Sequence, residues 1–312
     1  ALPILIEEAR TNTVLNSDTA PATVLTNGTL SLESVVTPRG IAQNVRKVQM
    51  TPGGVVRLGP GGGQGAMNTT YSVSFWIKSV DGGTASVNLD INDRNTIEVH
   101  YTGEWTRITH TGGFRDNASH QFFDLNCRSS TTDFYIFGAQ MEIGSFATSY
   151  IPTSGSTVTR AADIAEITGT NFASFYNQSE GTVFIESRKL SSTALAHHFT
   201  LNDGTASNRI IHQPPGFALY VNNGGVKQAQ VTSTTYASGD FVKAAIGIAE
   251  NNFSLVADGT IEGQDNSGTV PAVSQINIGD NHINTNHING HIKRLAYMPY
   301  RLPNNILKSM TS

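Results

Sequence analysis

The segment DNHINTNHINGHIK brings His282, His287 and His291 within ten residues of one another. Imidazole nitrogens at such spacings are a donor set for a transition metal, held within one chain or shared around a symmetry axis between copies. The same segment is a near repeat, NHIN followed by NHING, and it reads equally as two similar turns packed by Ile283, Ile288 and Ile292. His197 and His198 are adjacent on an expected strand, so their rings point to opposite faces and do not meet on one ion. Asp203, Asp258 and Asp280 fall in expected loops, where carboxylate and carbonyl oxygens suit calcium. None of them belongs to a dense D-x-[DN]-x-[DN] run. The expectation is therefore no cofactor, with calcium as the alternative.

Glycan recognition needs other chemistry: an aromatic face for the apolar side of a sugar ring and amides to fix its hydroxyls. Tyr220 with Asn222 and Asn223 in YVNNGG, and Tyr236 in STTYASGD, supply it beside expected turns. The same tyrosines also read as strand-end residues with wet hydroxyls. Trp76 and Trp105 lie among core-like neighbours and are read as packing residues. Hydrolysis would need two carboxylates facing each other or a nucleophile with its base. The acids Glu98, Glu104, Asp124, Glu180, Glu186 and Asp240 are scattered, and neither GxSxG nor HExxH occurs, so the chain is read as no enzyme. The glycine run LGPGGGQGAMN lacks the GxxxxGK[ST] spacing of a phosphate cradle and is read as a surface loop.

The elements that would position these groups are strands. YSVSFWIKS puts Tyr71, Val73, Phe75 and Ile77 on one face, and ASVNLDI, NTIEVHY, EWTRITH, HQFFDLN and DFYIFGAQME repeat the alternation between turn-forming clusters. A second set begins at GTVFIESRK and includes NRIIHQ, GFALYVNN, QINIGD and the hairpin NNFSLVADGTIEG with its Asp-Gly turn. RLPNNILKSMTS closes as a short helix opened by Pro303, expected to bury Leu302, Ile306, Leu307 and Met310 and to plug one end of a sandwich. The class is all-β: two antiparallel β-sandwich, or jelly-roll, domains in tandem.

Charged residues are only 14% of the chain and the formal charge is −4 with no basic run, which leaves out the electrostatic footprint of nucleic-acid binding. The single cysteine, Cys127, excludes an internal disulfide and is read as a buried small hydrophobe. No stretch reaches the ~20 apolar residues that span a bilayer, so no membrane insertion is expected.

At 312 residues the chain suits two domains of roughly 150 residues. The expected boundaries are 1–153 and 169–312, joined by a linker over 154–168. The middle stretch FGAQMEIGSFATSYIPTSGSTVTRAADI carries Phe146, Tyr150 and Ile151 too closely spaced for a disordered linker. They are expected to clasp the first domain and fix the orientation of the second, with Arg160 and Asp163 pinning the crossing.

Three blocks go beyond generic strand patterning: LIEEARTN at 5–12, the middle stretch at 137–163, and NGHIKRLAYMPYRLPNNILKSMT at 289–311. Together they resemble bacteriophage tail-fibre and other virion surface proteins, over nearly the whole chain. The resemblance implies a carbohydrate-binding-module-like sandwich followed by a concanavalin or laminin-G-like one. It implies a place on the phage particle, tail or capsid, with other virion proteins as partners, a homo-oligomer with a trimer favoured, and host-surface glycan as a ligand. The leading reading is an adhesin. Its alternatives are a capsid decoration or head-fibre protein and a glycan-degrading tail enzyme. Under the decoration reading, residues 1–16 form an attachment segment whose Leu2, Ile4, Leu5 and Ile6 pack on a neighbouring subunit.

Overall fold

The computed structural model describes residues 2–59, 69–91, 95–113, 122–128, 130–190, 195–213, 218–232 and 239–312. Residues 60–68 of the glycine run, and Tyr236, lie outside them. The chain divides into two units, Ala9–Ala161 and Ala1–Glu8 together with Ala162–Ser312. The opening residues thus belong to the second unit. β1 (Ile4–Ile6) is antiparallel to the strand at Gly290–Met298, with Ile4 opposite Ile292 and Ile6 opposite Gly290. Ile6 is buried in that unit's core, Glu7 N–H donates to Asp163 Oδ2 at 2.9 Å, and Glu8 N–H donates to Asn289 Oδ1 at 2.8 Å. Of the expected attachment segment, Ile6 is thus spent within its own chain, where the apolar, isoleucine-bearing LPILI completes a sheet, while Leu2 and Ile4 face outward.

The first unit contains β2 (Arg10–Asn12), β3 (Ala22–Val36), β4 (Ala42–Leu58), β5 (Thr70–Ser79), β6 (Ala85–Ile91), β7 (Asn95–Tyr101), β8 (Thr106–Gly113), β9 (Phe123–Cys127), β10 (Thr132–Ile143) and β11 (Val158–Arg160). β3 and β4 form one long hairpin whose register shifts on either side of Thr26. Asn27 (φ 42°) and Gly53 (φ 78°) take left-handed conformations at that bend. Beyond the bend β4 pairs with β9, and before it with β10, so the hairpin belongs to both layers of a sandwich. Tyr71, Val73, Phe75 and Ile77 all face the core, and the rings of Phe75 and Phe123 stack across it at 5.6 Å. Burying a side chain of that size contributes roughly 2 to 3 kcal/mol. Cys127 is buried among them. Three residues of the expected linker pair here, since Val158–Arg160 ladder onto Arg10–Asn12.

The second unit adds β12 (Glu166–Thr168), α1 (Gly169–Ala173), β13 (Glu180–Lys189), β14 (Phe199–Asn202), β15 (Arg209–Gln213), β16 (Ala218–Asn223), β17 (Val226–Val231), β18 (Val242–Ala249), β19 (Phe253–Ala257), β20 (Thr260–Asp265), β21 (Gln275–Ile278), β22 (Gly290–Met298) and α2 (Asn304–Thr311). Two six-stranded sheets form, ordered β1-β22-β13-β18-β19-β20 and β12-β21-β14-β15-β16-β17. Antiparallel pairing joins every neighbouring pair of strands. Asp258 (φ 42°) and Gly259 (φ 75°) make the tight turn of the β19–β20 hairpin.

α2 does not plug an end of the sandwich. It lies on the outer face of the first sheet, where Leu307 packs on Phe184, Ala245 and Val256 while Ile306 stays 41% exposed. The cause is visible in β19, whose five residues are all buried: Leu255 faces the core, and Val256 needs a cover on the other side. Among the described residues no helix is long and apolar enough to cross a membrane.

Candidate functional site

With α2 on one outer face, the second sheet presents the other. Its inward positions, Phe199, Leu201, Ile210, Leu219, Val221, Ala229 and Ile276, fill the core. The residues between them point outward because side chains alternate along a strand. Register then lines up two rows. Gln275, Asn202, Arg209 and Asn222 are successive cross-strand partners, and so are Asn277, Thr200, Ile211, Tyr220 and Gln230. Side chains directly opposite in this way lie about 5 Å apart.

One half of the face is closed. Asn202, Asn277, Thr200 and Ile211 are buried. Asn277 Nδ2 donates to Asn284 Oδ1 at 3.0 Å, Asn202 Nδ2 to Asn277 Oδ1 at 2.9 Å, and Thr200 Oγ1 to the Asp280 carbonyl at 3.0 Å. The covering loop is the histidine-bearing repeat. Asn281 Oδ1 accepts from the amides of Ile283 and Thr285, each at 3.0 Å, and Asn284, Asn286 and Asn289 sit in the left-handed region at φ 55°, 55° and 46°. Asparagine tolerates that region because its short side chain bonds locally.

The other half is open. Arg209, Tyr220, Asn222 and Gln230 are each partly exposed. Gln230 Nε2 donates to Tyr220 Oη at 3.4 Å, and Lys227 Nζ donates to Gln230 Oε1 at 3.0 Å. The Arg209 guanidinium and the Asn222 amide bond to no described residue, and Arg209 Nε is buried. Burial lowers the Arg209 pKa. His197 is pushed down to about 4, first by burial and then by the Arg209 charge, and His282 is lowered by the same two causes. Both rings are neutral at neutral pH, which leaves Arg209 as the dominant charge at this end.

The predicted site residues are distributed unevenly. Tyr220 and Asn222 share the open face. Asn223 instead turns to the edge, where its Nδ2 donates to Thr269 Oγ1 at 2.9 Å. Tyr236 lies outside the described residues. The three histidines do not converge: His282 sits near Arg209, His287 Nε2 is 4.0 Å from Asp280, and His291 Nδ1 accepts from Arg188 Nε at 3.3 Å on β22. Among the described residues no group of three His, Cys, Asp or Glu is placed to hold a metal. The repeated left-handed asparagines turn the chain between the rings. Ile288 and Ile292 are buried as the repeat reading requires, whereas Ile283 is 63% exposed at the loop tip.

The calcium candidates are apart as well. Asp203 accepts from Thr205 N, Thr205 Oγ1 and Asn208 Nδ2 within its own turn, and Asp258 Oδ1 accepts from Lys243 N at 2.9 Å in the other sheet. Asp280 is fully buried, and burial raises its carboxyl to about 7, with Asn277 opposing and Glu166 adding to the rise. Several of the scattered acids are committed: Asp124 to Arg57 through bonds of 2.9 and 2.8 Å, Glu186 to Lys293 at 2.6 Å, and Glu180 to Arg301 N at 3.1 Å.

The residues expected to clasp lie on the first unit in part. Tyr150 Oη donates to Asp18 Oδ1 at 2.5 Å, and its ring meets Trp76 edge-on at 5.3 Å. Ile151 N donates to Gln140 Oε1 at 2.6 Å, and the Phe146 ring lies 4.8 Å from the Arg10 guanidinium. Arg160 ladders within the first unit, whereas Asp163 accepts from Glu7 N in the second. Trp105 Nε1 donates to the Val36 carbonyl at 2.8 Å, the packing role read for it. Sequence reasoning missed Arg209 and Gln230. Their only signal was alternation within NRIIHQ and KQAQV, and alternation does not say which residues of other strands stand beside them.

No protein-family model and no curated protein matches this chain. Similar solved structures include the carbohydrate-binding module CBM40 of the Ruminococcus gnavus IT-sialidase, at 16% identity over 48% of this chain and 96% of that one, with a TM-score of 0.40. The tandem CBM22 domains of Paenibacillus barcinonensis Xyn10C match at 9% identity over 96% and 99%, with a TM-score of 0.33. Domains LG4-5 of the mouse laminin alpha1 chain match at 11% over 96% and 91%, with a TM-score of 0.31.

Proposed function

We propose that this chain is a non-catalytic surface protein of a phage particle, of the tail-fibre adhesin type, that contacts host glycan through the open half of the second sandwich's outer sheet. The observation that carries the reading is the row geometry: Tyr220 offers a ring beside Asn222, Arg209 and Gln230, and neither Arg209 nor Asn222 is used by a described residue. An aromatic face with unspent amide and guanidinium donors is the chemistry a sugar ring asks for. One shallow patch binds weakly, and copies gathered in a trimer on one particle would multiply it. The test is retention of the intact oligomer on a glycan array and on host cells. Tyr220→Ala and Asn222→Ala are each expected to lower retention, and no retention by the unsubstituted protein would sink the reading.

A second reading, a decoration or head-fibre protein engaging other virion proteins, draws on Leu2 at 92% and Ile4 at 61% exposure at the β1 edge. Serine at both positions should then reduce incorporation into particles. Unchanged incorporation removes it.

A further inference from the structure

The open face carries a charge that has no partner among the described residues. Arg209 stands between Asn202 and Asn222 in its row. Asn202 is committed, donating to Asn277 and accepting from Gly204 N at 2.8 Å, whereas Asn222 is not. The nearby acids are also committed. Asp203 holds its own turn through three bonds, and Asp265 accepts from Gln230 N at 3.1 Å and from Ser267 Oγ at 2.7 Å. The imidazoles of His197 and His282 carry no negative charge and are driven neutral.

A guanidinium that is partly desolvated without a counter-ion has lost hydration and gained nothing in return. A planar carboxylate restores it through two parallel N–H···O bonds, a geometry that Arg supplies and a hydroxyl cannot match. Tyr220 sits one row away, diagonal to Arg209, where cross-strand neighbours are about 7 Å apart. That separation suits a pyranose ring lying on the tyrosine while a carboxylate attached to the ring reaches Arg209. Asn222 is then placed to bond the carboxylate or the adjacent hydroxyl.

Resting on the glycan reading above, we infer that the ligand of this face is an acidic sugar, a pyranose bearing a carboxylate such as a hexuronate or a sialate, with Arg209 as its specificity determinant. The closing experiment uses the full chain and immobilised probes in matched pairs: oligogalacturonate against its methyl ester, and sialyllactose against lactose. Binding at least tenfold stronger to one acidic member than to its neutral partner is expected, weakening as salt rises. Arg209→Gln should remove that preference, bringing the acidic member of each pair down to the level of its neutral partner, and Arg209→Lys should restore part of it. Asn222→Asp, which places a carboxylate beside Arg209 without changing volume, should remove it too and guards against a folding defect in the first variant. Equal binding to acidic and neutral partners, or an acidic preference that survives both Arg209→Gln and Asn222→Asp, overturns the inference while leaving glycan binding intact. A phosphate-bearing glycan bound in place of both carboxylates overturns it as well. Binding to none of the probes overturns both readings.

Discussion

The two sandwiches use outward-facing polar side chains in opposite ways. In the first unit, Ser72, Ser74, Gln140 and Glu142 point away from the core yet are fully buried, because residues 145–153 run across them. Glu142 Oε2 accepts from Thr148 N at 3.0 Å, Arg107 Nη2 donates to the Thr148 carbonyl at 2.6 Å, and Ser72 Oγ donates to the Gly144 carbonyl at 2.7 Å. That unit's other layer is wetter but equally committed: Arg57 clamps Asp124, Asn126 Nδ2 donates to Asp90 Oδ2 at 2.9 Å, and Ser86 Oγ donates to Glu98 Oε1 at 2.7 Å. The second unit closes half of its face in the same manner, and no described residue ties Arg209 or Asn222 into that network. Residue type does not separate a structural face from a binding face. Whether each donor already has an internal partner does.

If the first face is structural, substitutions there should act on stability. Gly138 lies in the β10 bulge at φ 66°, and a Cβ on it would stand 2.7 Å from ring carbons of Trp76. Gly138→Ala therefore combines left-handed strain with overpacking and should cost about 3 kcal/mol. Both tryptophans, Trp76 and Trp105, belong to this unit, so denaturant unfolding followed by tryptophan emission reports on it alone. Glu142→Ala comes next: it strips the acceptor from the buried Thr148 N–H and Thr148 hydroxyl, for a loss of about 2 kcal/mol by the same measurement. A loss below 0.5 kcal/mol would mean that residues 145–153 do not depend on the carboxylate.

The period-two runs were enough to read the strands, because a half-buried strand must alternate. Tyr71, Val73, Phe75 and Ile77 are all core residues, and Asp258-Gly259 does turn a hairpin. Pairing partners far apart in sequence were not legible. Nothing in LPILI says that it closes a sheet with residues 290–292, nor does NRIIHQ reveal that Arg209 will stand beside Asn222. The site was half legible for the same reason: Tyr220 and Asn222 follow from a turn and a residue type, whereas Arg209 follows from register. α2 was read as a helix but put in the wrong place, since its apolar stripe fits a sheet face as well as an open end.

The closed half of the second face gives a prediction of intermediate size. Asp280 has a folded-state carboxyl at about 7 against an ordinary 3.8, so the fold holds its proton more tightly than the unfolded chain does. Stability from this group is therefore greatest below about pH 4 and declines as the pH rises through 7. The groups facing it are Asn277, His287 and Glu166. Asp280→Asn, which mimics the protonated form, should stabilise the second unit by about 1.5 kcal/mol at pH 8 and change little at pH 4. Amide exchange in β14 and β21 measures it. A gain of equal size at both pH values would assign the effect to packing instead of ionisation.

The smallest expected stability effect decides the comparison. Arg209 and Asn222 have no side-chain bonds to other described residues to lose, so Arg209→Gln and Asn222→Ala should each change the stability of the second unit by less than about 0.5 kcal/mol. Relief of the partly desolvated guanidinium could even make Arg209→Gln slightly stabilising. Amide exchange across β15 and β16 is the measurement. A destabilisation approaching that of Glu142→Ala would show that the open row is held by the fold after all, and the distinction between a face the protein consumes and a face it leaves for a partner would fail at its most exposed point.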